Sequence, residues 1–264
     1  MIAIKSLRTK KSRDEQGVFL VEGEKFVMEI PASYRIVQYV VSDGYKRPTD
    51  TLKNRAKVLE VSKAVFERLA QTTSPQGIIA VVEKKQYIYE ETATNDGFIL
   101  ACDSLNDPGN LGSLIRTAAA AGASCIMLTH GSASVWNPKV QRASAGAALT
   151  LPIVESKSID EIANHAKKHN IPLYAACTRG DSLPYDMDFR NKFCLILGSE
   201  SHGLSESAKK HADFLIRLPM SDKVESLSVA TAGQIIMYEA VRQREVFLKQ
   251  PADCQRGQRK PSSI

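Results

Sequence analysis

The feature that most constrains the fold is a regular alternation of short apolar runs and helix-like segments from Phe98 onward. Strands are predicted at 98–102, 125–128, 151–154, 173–176, 193–197 and 214–218, and helices at 111–121, 137–148, 159–169, 205–211 and 229–247. Repeating strand–helix units of this kind form a mainly parallel sheet that is covered by helices on both faces. The sequence therefore predicts an α/β fold.

Residues 1–92 form a second, smaller α/β pattern. Strands are predicted at 19–23, 36–41 and 77–82, and helices at 23–30, 49–59 and 62–69. A polar stretch at 83–97 is the predicted linker. We therefore expect an N-terminal domain at 1–92 and a second domain at 93–249. The segment 250–264 is basic and almost devoid of apolar residues, which is typical of a disordered tail.

The net charge of +6 is unevenly distributed. Residues 1–92 carry 16 Lys/Arg against 12 Asp/Glu, residues 93–248 carry 15 against 16, and residues 249–264 carry 4 against 1. Basic ends around a nearly neutral centre are typical of a protein that binds a polyanion away from its catalytic domain. From charge alone, an ordinary solvated surface is an equally good interpretation.

The five cysteines show no Cys-x-x-Cys spacing, and their odd number favours a reducing cytoplasm over a disulfide framework. We find no apolar run long enough for a membrane span and no signal-peptide pattern at the start. His165 and His169 have the i, i+4 spacing of a metal pair, but no third ligand accompanies them and lysines flank them. We expect a solvated helix face there and no metal site.

Three stretches share one design, in which a predicted strand breaks into Gly, Pro, Asn or Ser just before a predicted helix. The first runs from Asp103 to Arg116 and contains Asp-Pro-Gly-Asn, with Asn110 as the expected N-cap of the helix. The second covers 195–204 and the third 216–228. Since the carboxyl ends of parallel strands meet at one edge of a sheet, the three loops are expected to form one ligand site.

Together, and in this order, the three stretches resemble the signature motifs of the SpoU (TrmH-like) RNA ribose 2′-O-methyltransferases of the SPOUT class. The resemblance covers about residues 98–248 and implies a trefoil-knotted sheet, S-adenosylmethionine as cofactor, no metal and a homodimer. Residues 1–92 resemble the small RNA-binding domain that many members carry. The implied function is methylation of a ribose 2′-hydroxyl in RNA, and the two-domain layout favours ribosomal RNA.

The resemblance also assigns site residues. The implied catalytic residues are Asn110, Arg116, Glu200, Ser226 and Ser228. The implied cofactor-binding residues are Thr178, Leu197, Gly198, Gly203, Leu218, Met220 and Leu227. The basic residues expected to contact RNA are Arg8, Lys10, Lys11, Arg13 and Arg142. A guanidinium is a poor base, so we expect Arg116 to anchor a phosphate and Glu200 to orient Arg116.

One position departs from the family pattern, because this chain has Ser228 where the typical third motif has Asn. Serine is shorter and lacks the bifunctional amide. The departure leaves open a non-catalytic RNA-binding or ribosome-assembly protein that retains the fold. Methylation of a base instead of the ribose also remains open.

Overall fold

The computed structural model describes residues 4–46, 52, 56–87 and 97–249, and the predicted tail at 250–264 and most of the predicted linker lie outside them. The N-terminal part contains a four-stranded sheet built from β1 (Val18–Glu22), β2 (Ile36–Ser42), β3 (Lys57–Val61) and β4 (Ile78–Glu83). Its strand order is β1-β4-β2-β3, with β3 parallel to β2 and the other pairs antiparallel. The helices are α1 (Lys10–Gln16), α2 (Glu24–Glu29) and α3 (Lys63–Leu69), and a 3-10 turn precedes them at Ile4–Arg8.

The helix predicted at 49–59 is wrong at its C-terminal end. Lys57, Val58 and Leu59 belong to β3, which pairs with β2 at the edge of the sheet. Val58 and Leu59 are exposed, so neither a helical nor an alternating burial pattern marks this strand. Backbone pairing to β2 decides the conformation there, and that pairing is invisible in the local sequence. Most of the remaining positions of the predicted helix lie outside the described residues.

The second sheet confirms the predicted α/β architecture. It contains β5 (Phe98–Cys102), β6 (Ala123–Thr129), β7 (Ile153–Lys157), β8 (Leu173–Ala176), β9 (Cys194–Leu197) and β10 (Phe214–Ile216). All six strands are parallel to their neighbours, in the order β10-β8-β9-β5-β6-β7. The order runs in opposite directions from the centre, which is the condition for a crevice at the carboxyl ends of the strands. The trefoil knot stays a prediction.

Helices α4 (Pro108–Ala120), α5 (Pro138–Ala143), α6 (Ile159–Lys168), α7 (Glu206–His211) and α8 (Val229–Lys249) connect and cover these strands. The helix predicted at 137–148 is shorter than expected, because the chain turns left-handed at Ala145 (φ 49°) and Gly146 (φ 88°). A separate 3-10 turn at Ala147–Leu149 follows. Strand β10 also ends two residues earlier than predicted.

The cores of the two sheets meet at Trp136, which is 5% exposed. Its ring lies against the ring of Phe19 on β1, with 4.3 Å between the ring centroids. One hydrophobic cluster therefore extends from the N-terminal sheet into the second sheet. Within the described ranges, no helix has both the length and the apolar character needed to cross a membrane.

Candidate functional site

A cavity of about 450 Å³ lies where the carboxyl ends of β8, β9 and β10 meet the start of α8. Its walls come from the segments that follow each of these strands and from the first turns of the last helix. The second and third motifs of the sequence both reach this cavity, as the geometry of a parallel sheet predicts. The apolar walls include Ile216, Val229 and Ile236, and polar groups of the loops complete the lining.

All seven residues predicted to bind the cofactor line this cavity. They are Thr178 after β8, Leu197, Gly198 and Gly203 at β9 and its loop, Leu218 and Met220 after β10, and Leu227 before α8. The predicted catalytic residues Glu200 and Ser226 line it as well. These nine positions come from three separate stretches of sequence, and the fold brings them to one place.

The floor of the cavity depends on Gly198 and Gly203, where the backbone approaches itself. Ser199 and Gly203 exchange two backbone hydrogen bonds of 2.9 Å, which closes the loop into a tight turn. A Cβ atom on Gly198 would lie 2.2 Å from the carbonyl carbon of Gly203 and 2.4 Å from the backbone nitrogen of Leu204. Glycine at position 198 therefore lets the chain's own backbone approach, which a larger residue would prevent.

The first motif joins this loop through Asp103, a buried carboxylate at the end of β5. Its Oδ2 accepts a 2.8 Å hydrogen bond from the backbone N–H of Ser205, the residue that caps α7. Its own N–H donates to the carbonyl of Leu197 over 2.8 Å. Asp103 therefore ties the far end of the loop to the central strand β5.

Helix α4 begins earlier than predicted, and its N-cap is Asp107 instead of Asn110. The Oδ1 of Asp107 accepts the N–H of Asn110 over 2.7 Å, while Pro108 occupies the first turn, where no N–H is needed. That hydrogen bond, together with Lys139, holds the pKa of Asp107 below its ordinary value. The side chain of Asn110 is therefore not used for capping and is available for another contact.

Asn110 instead contacts the second motif. Its Nδ2 donates a 2.9 Å hydrogen bond to Oε1 of Glu200, across a sequence separation of 90 residues. Glu200 is exposed and lines the cavity, so the pair lies at the cavity rim. The first and second motifs are therefore joined through a neutral amide and a carboxylate.

Arg116 lies two turns into α4 and is exposed. Among the described residues it forms no hydrogen bond and no salt bridge, and Glu200 is bound to Asn110 and not to Arg116. Our expectation that Glu200 orients Arg116 is therefore not met in this structure. Three residues before Arg116, Ser113 accepts a 2.7 Å hydrogen bond from Gln234, which fixes α4 against α8.

Ser228 is the N-cap of α8. Its Oγ accepts the backbone N–H of Thr231 over 3.1 Å and lies 2.9 Å from the Thr231 hydroxyl. Its carbonyl accepts the N–H of Ala232 over 2.9 Å. Serine and asparagine are both good N-caps. The departure from the family pattern thus replaces one helix-capping residue by another, at a position that does not line the cavity.

The five predicted RNA contacts differ in their availability. Arg8, Lys10, Lys11 and Arg142 are exposed, although Arg8 also donates to the carbonyls that end α3. Arg13 is only 3% exposed, and its Nη1 donates to the carbonyls of Leu7 and Arg8 over 2.9 and 2.8 Å. Arg13 therefore packs the turn at Ile4–Arg8 and has no free side for a phosphate, which corrects our expectation.

The cavity also contains residues that sequence reasoning missed. They include Cys177, Arg179, His202 and Lys209. Cys177 and Arg179 directly flank the predicted Thr178 after β8, so the carboxyl-end rule, applied to every position after that strand, would have found them. Lys209 comes from α7 and carries no such signal. Its ammonium is bound to Glu206 over 2.7 Å.

The histidine pair differs from the expected solvated face. His165 is 7% exposed and stacks obliquely on His169, with 4.6 Å between the ring centroids. The described part of the chain holds no group of three or more His, Cys, Asp or Glu side chains that could bind a metal ion.

The chain matches the model of the SpoU rRNA Methylase family over residues 97–238. The chain belongs to the SpoU rRNA methylase family. A second match covers residues 2–80 and corresponds to an MRM3-like substrate-binding domain. The resemblance inferred from the three motifs is thereby confirmed, and with it the class of an RNA methyltransferase that uses S-adenosylmethionine.

Full-length relatives support the same assignment. The chain is 31% identical to the 23S rRNA (guanosine(2553)-2′-O)-methyltransferase RlmP of Bacillus subtilis, covering 89% of this chain and 92% of that protein. The structure resembles the SpoU methyltransferase AviRb from Streptomyces viridochromogenes in complex with AdoMet, with a TM-score of 0.83, 27% identity and coverage of 92% and 96% of the two chains. An AdoMet-bound rRNA methyltransferase from Sinorhizobium meliloti gives a TM-score of 0.82 at 28% identity, covering 90% of this chain and 92% of that one.

Proposed function

We propose that this SpoU methylase transfers a methyl group to a ribose 2′-hydroxyl of ribosomal RNA, with 23S RNA as the first candidate. The observation that carries the proposal is the cavity at the carboxyl ends of β8, β9 and β10, which all seven expected cofactor residues line. Of the relatives named above, RlmP is a 23S rRNA 2′-O-methyltransferase and the Sinorhizobium meliloti protein is an rRNA methyltransferase, and both match the chain along most of its length.

The cavity suits S-adenosylmethionine, whose adenine packs against an apolar wall and whose polar edges need hydrogen-bonding partners. Leu197, Leu218 and Leu227 provide the wall, and the turn between Gly198 and Leu204 presents backbone groups beside it. The cavity volume lies within the usual range for small-molecule sites. When bound, the cofactor supplies an electrophilic methyl group on a sulfur that leaves readily.

In this proposal, Arg116 binds the phosphate next to the target ribose and stabilises the negative charge that develops on the 2′-oxygen. Its guanidinium presents a planar fork of donors that suits phosphate oxygens. Arg116 is exposed and forms no ion pair among the described residues, so binding a phosphate breaks no existing salt bridge. Asn110 and Glu200 hold each other at the cavity rim and position the loop that borders the cofactor. Ser226 lines the same cavity.

The N-terminal domain, which we assign to 1–92, would bind the RNA beyond the target nucleotide. The match to an MRM3-like substrate-binding domain supports this assignment. Arg8, Lys10, Lys11 and Arg142 are the exposed cations that we propose as phosphate contacts. Ribosomal RNA as substrate suits the cytoplasm, and so does the odd number of cysteines in the sequence.

We also propose a homodimer that uses the outer face of α8. Gly233 lies on the inner face, where a Cβ would be 2.4 Å from Leu197. On the outer face, Ile235 is 46% exposed and Tyr238 is 55% exposed. Residues three apart lie side by side on a helix, so the two form an apolar patch. Tyr238→Glu should shift the chain toward monomer in analytical ultracentrifugation, and Val65→Glu, at an exposed position on α3, should not.

The deciding experiment measures transfer of labelled methyl from S-adenosylmethionine to undermethylated ribosomal RNA by wild type, Arg116→Ala and Arg190→Ala. Arg190 is an exposed arginine that pairs with Asp188 outside the site, so it controls for charge. Alkali-resistant label identifies the ribose as acceptor. We expect Arg116→Ala to lose about 100-fold or more in rate, as is typical when one donor to a developing oxyanion is removed.

Two outcomes would contradict the proposal. If alkali cleaves the RNA at the labelled nucleotide, its 2′-hydroxyl is free, which would mean that a base is methylated. No transfer by wild type, despite measurable binding of S-adenosylmethionine and RNA, would favour the non-catalytic RNA-binding protein that the Ser228 position left open.

A further inference from the structure

A second concave surface lies at the opposite edge of the six-stranded sheet. It is a groove of about 790 Å³ between α6, α7 and the amino ends of β8 and β10. Its floor contains the buried residues Ala163, Ile171 and Leu173. The cofactor cavity lies at the carboxyl ends of the same strands, so the groove is separate from that site. It also lies outside the N-terminal domain.

Two lysines line this groove, Lys167 from α6 and Lys210 from α7. Both are exposed, and neither ammonium group forms a hydrogen bond or salt bridge within the described part of the chain. Two cations converging on one groove from separate helices repel each other weakly and would attract a polyanion.

The acidic groups around the groove are already engaged. Asp213 accepts the N–H of Leu173 over 2.8 Å, and Asp160 is bound to Ser207 over 2.9 Å and to the ring of His211 over 2.8 Å. Neither carboxylate is bonded to the lysines that line the groove. The hydrogen bond from Ser207 is the largest of the effects that hold the pKa of Asp160 below its ordinary value, and the nearby charge of Lys210 adds to them. Among the residues that the structure describes, however, neither Lys167 nor Lys210 has a salt bridge to break before it meets a phosphate.

An aromatic ring is also exposed in this groove. Phe214 begins β10, lines the groove and is 44% exposed. Its ring is supported from the interior by Tyr174, with 5.7 Å between the centroids at an angle of 65°. The amide side chains of Asn164 and Asn170 lie on the same rim. An exposed ring beside free cations is the combination by which proteins hold single-stranded nucleic acid, since any base can stack on the ring.

We infer that this groove binds a single-stranded segment of the RNA substrate, with phosphates on Lys167 and Lys210 and a base on Phe214. The inference deepens the proposed function, because it assumes that the chain acts on RNA. The bound segment lies away from the target nucleotide, since the groove and the cofactor cavity lie at opposite ends of the strands. Occupancy of the groove should therefore strengthen RNA binding without changing the chemical step.

The first test is equilibrium binding of a labelled single-stranded RNA of about 12 nucleotides to the full chain across a salt series, a length within the usual range of such sites. For single strands, the slope of log affinity against log salt changes by about 0.7 for each phosphate contact. Lys167→Ala with Lys210→Ala should flatten the slope by about 1.4. Lys168→Ala is the matched control, because Lys168 is the next residue on α6, equally exposed, and does not line the groove.

Phe214→Leu should weaken binding about tenfold and leave the salt slope unchanged, because stacking is lost and no charge is removed. Leucine retains apolar contact with Tyr174, and thermal unfolding checks that the fold persists. In methyl transfer, the lysine variants should raise the KM for a long RNA at constant kcat. They should leave the KM for S-adenosylmethionine unchanged.

The inference is overturned if Lys167→Ala and Lys168→Ala reduce binding equally, or if the groove variants bind the single strand like wild type. Equal loss of affinity for double-stranded RNA would also overturn it, because a paired base cannot stack on Phe214. These binding results do not depend on turnover. An inactive wild type with intact groove binding would therefore contradict the proposed function alone.

Discussion

The tightest backbone approach in the cofactor cavity makes Gly198→Ala the sharpest probe of the site. An alanine Cβ at this position would lie 2.2, 2.3 and 2.4 Å from the carbonyl carbon and oxygen of Gly203 and the nitrogen of Leu204. All three are backbone atoms, so no side-chain rotation can relieve the overlap. Overpacking of this kind usually costs about 1–3 kcal/mol when the chain can shift. Here the shift must open the turn that Ser199 and Gly203 close with two hydrogen bonds.

Losing those two bonds adds about 0.5–1.5 kcal/mol each, so we expect a total of roughly 2–6 kcal/mol, concentrated at the cavity floor. Gly198→Ala should therefore abolish measurable S-adenosylmethionine binding in isothermal titration calorimetry and lower the Tm. Gly44→Ala is the matched control, because a Cβ there meets nothing within 4 Å. If Gly198→Ala binds the cofactor with wild-type affinity, the tight turn does not form the cofactor site and the reasoning fails.

Three further substitutions test other parts of the site. Asp103→Leu leaves the Ser205 N–H without its acceptor, so it should lower the free energy of unfolding in urea by about 1–3 kcal/mol and weaken cofactor binding. Asp103→Asn keeps an acceptor and should restore most of the stability and of the cofactor affinity. Equal effects of the two variants would contradict a hydrogen-bonding role. Ser228→Ala should lower the free energy of unfolding by about 1 kcal/mol, because the helix cap is lost. Ser228→Asn should leave stability and methyl transfer near wild type. A large rise in activity for the Asn variant would instead show that Ser228 lowers the catalytic rate. The pKa of Asp107 is lower in the folded chain than its unfolded value of about 3.9, so the contribution of Asp107 to the free energy of unfolding is complete above that pH and is lost as the pH falls through the folded pKa. Asp107→Asn should therefore flatten the pH dependence of urea unfolding below about pH 4. An unchanged profile would contradict this.

The sequence predicted the second sheet well, because apolar runs that are buried on both faces carry a strong local signal. Strand β5 is buried at all five positions and β9 at all four, and both were found from the sequence alone. Strand β3 was mistaken for helix because its side chains are mostly exposed. Where side chains are exposed to solvent, hydrogen bonding to a neighbouring strand decides the conformation, and the local pattern of apolar residues does not reveal that pairing.

That the second and third motifs would meet at one cavity was also predictable, because it follows from where parallel strands end. The assignment of individual residues to the cofactor came from the family resemblance and stays a prediction. The contacts within the site were not predictable. Asn110 was expected to cap α4, yet Asp107 does so, and this leaves the Asn110 amide for Glu200. Which residue caps the helix depends on where the helix starts, and the predicted start was three residues too late. The exact first residue of a helix is set by the surrounding fold and cannot be read from the local sequence. The prediction that Arg13 contacts RNA was wrong for a similar reason, since a cation in a basic stretch is expected to be exposed and its burial depends on the fold.

The pairing of Glu200 with Asn110 explains how a site for a polyanion can contain a carboxylate at its rim. An ion pair between Glu200 and Arg116 would have neutralised the one cation that we expect to meet the phosphate, and RNA binding would then have to break that pair. A neutral amide orients Glu200 over 2.9 Å without consuming any positive charge. The guanidinium of Arg116 consequently keeps its full attraction for a phosphate, and Glu200 holds the loop that borders the cavity to α4. Because Asn110 holds Glu200 and Arg116 is left for the substrate, the loop beside the cavity can stay ordered before RNA binds.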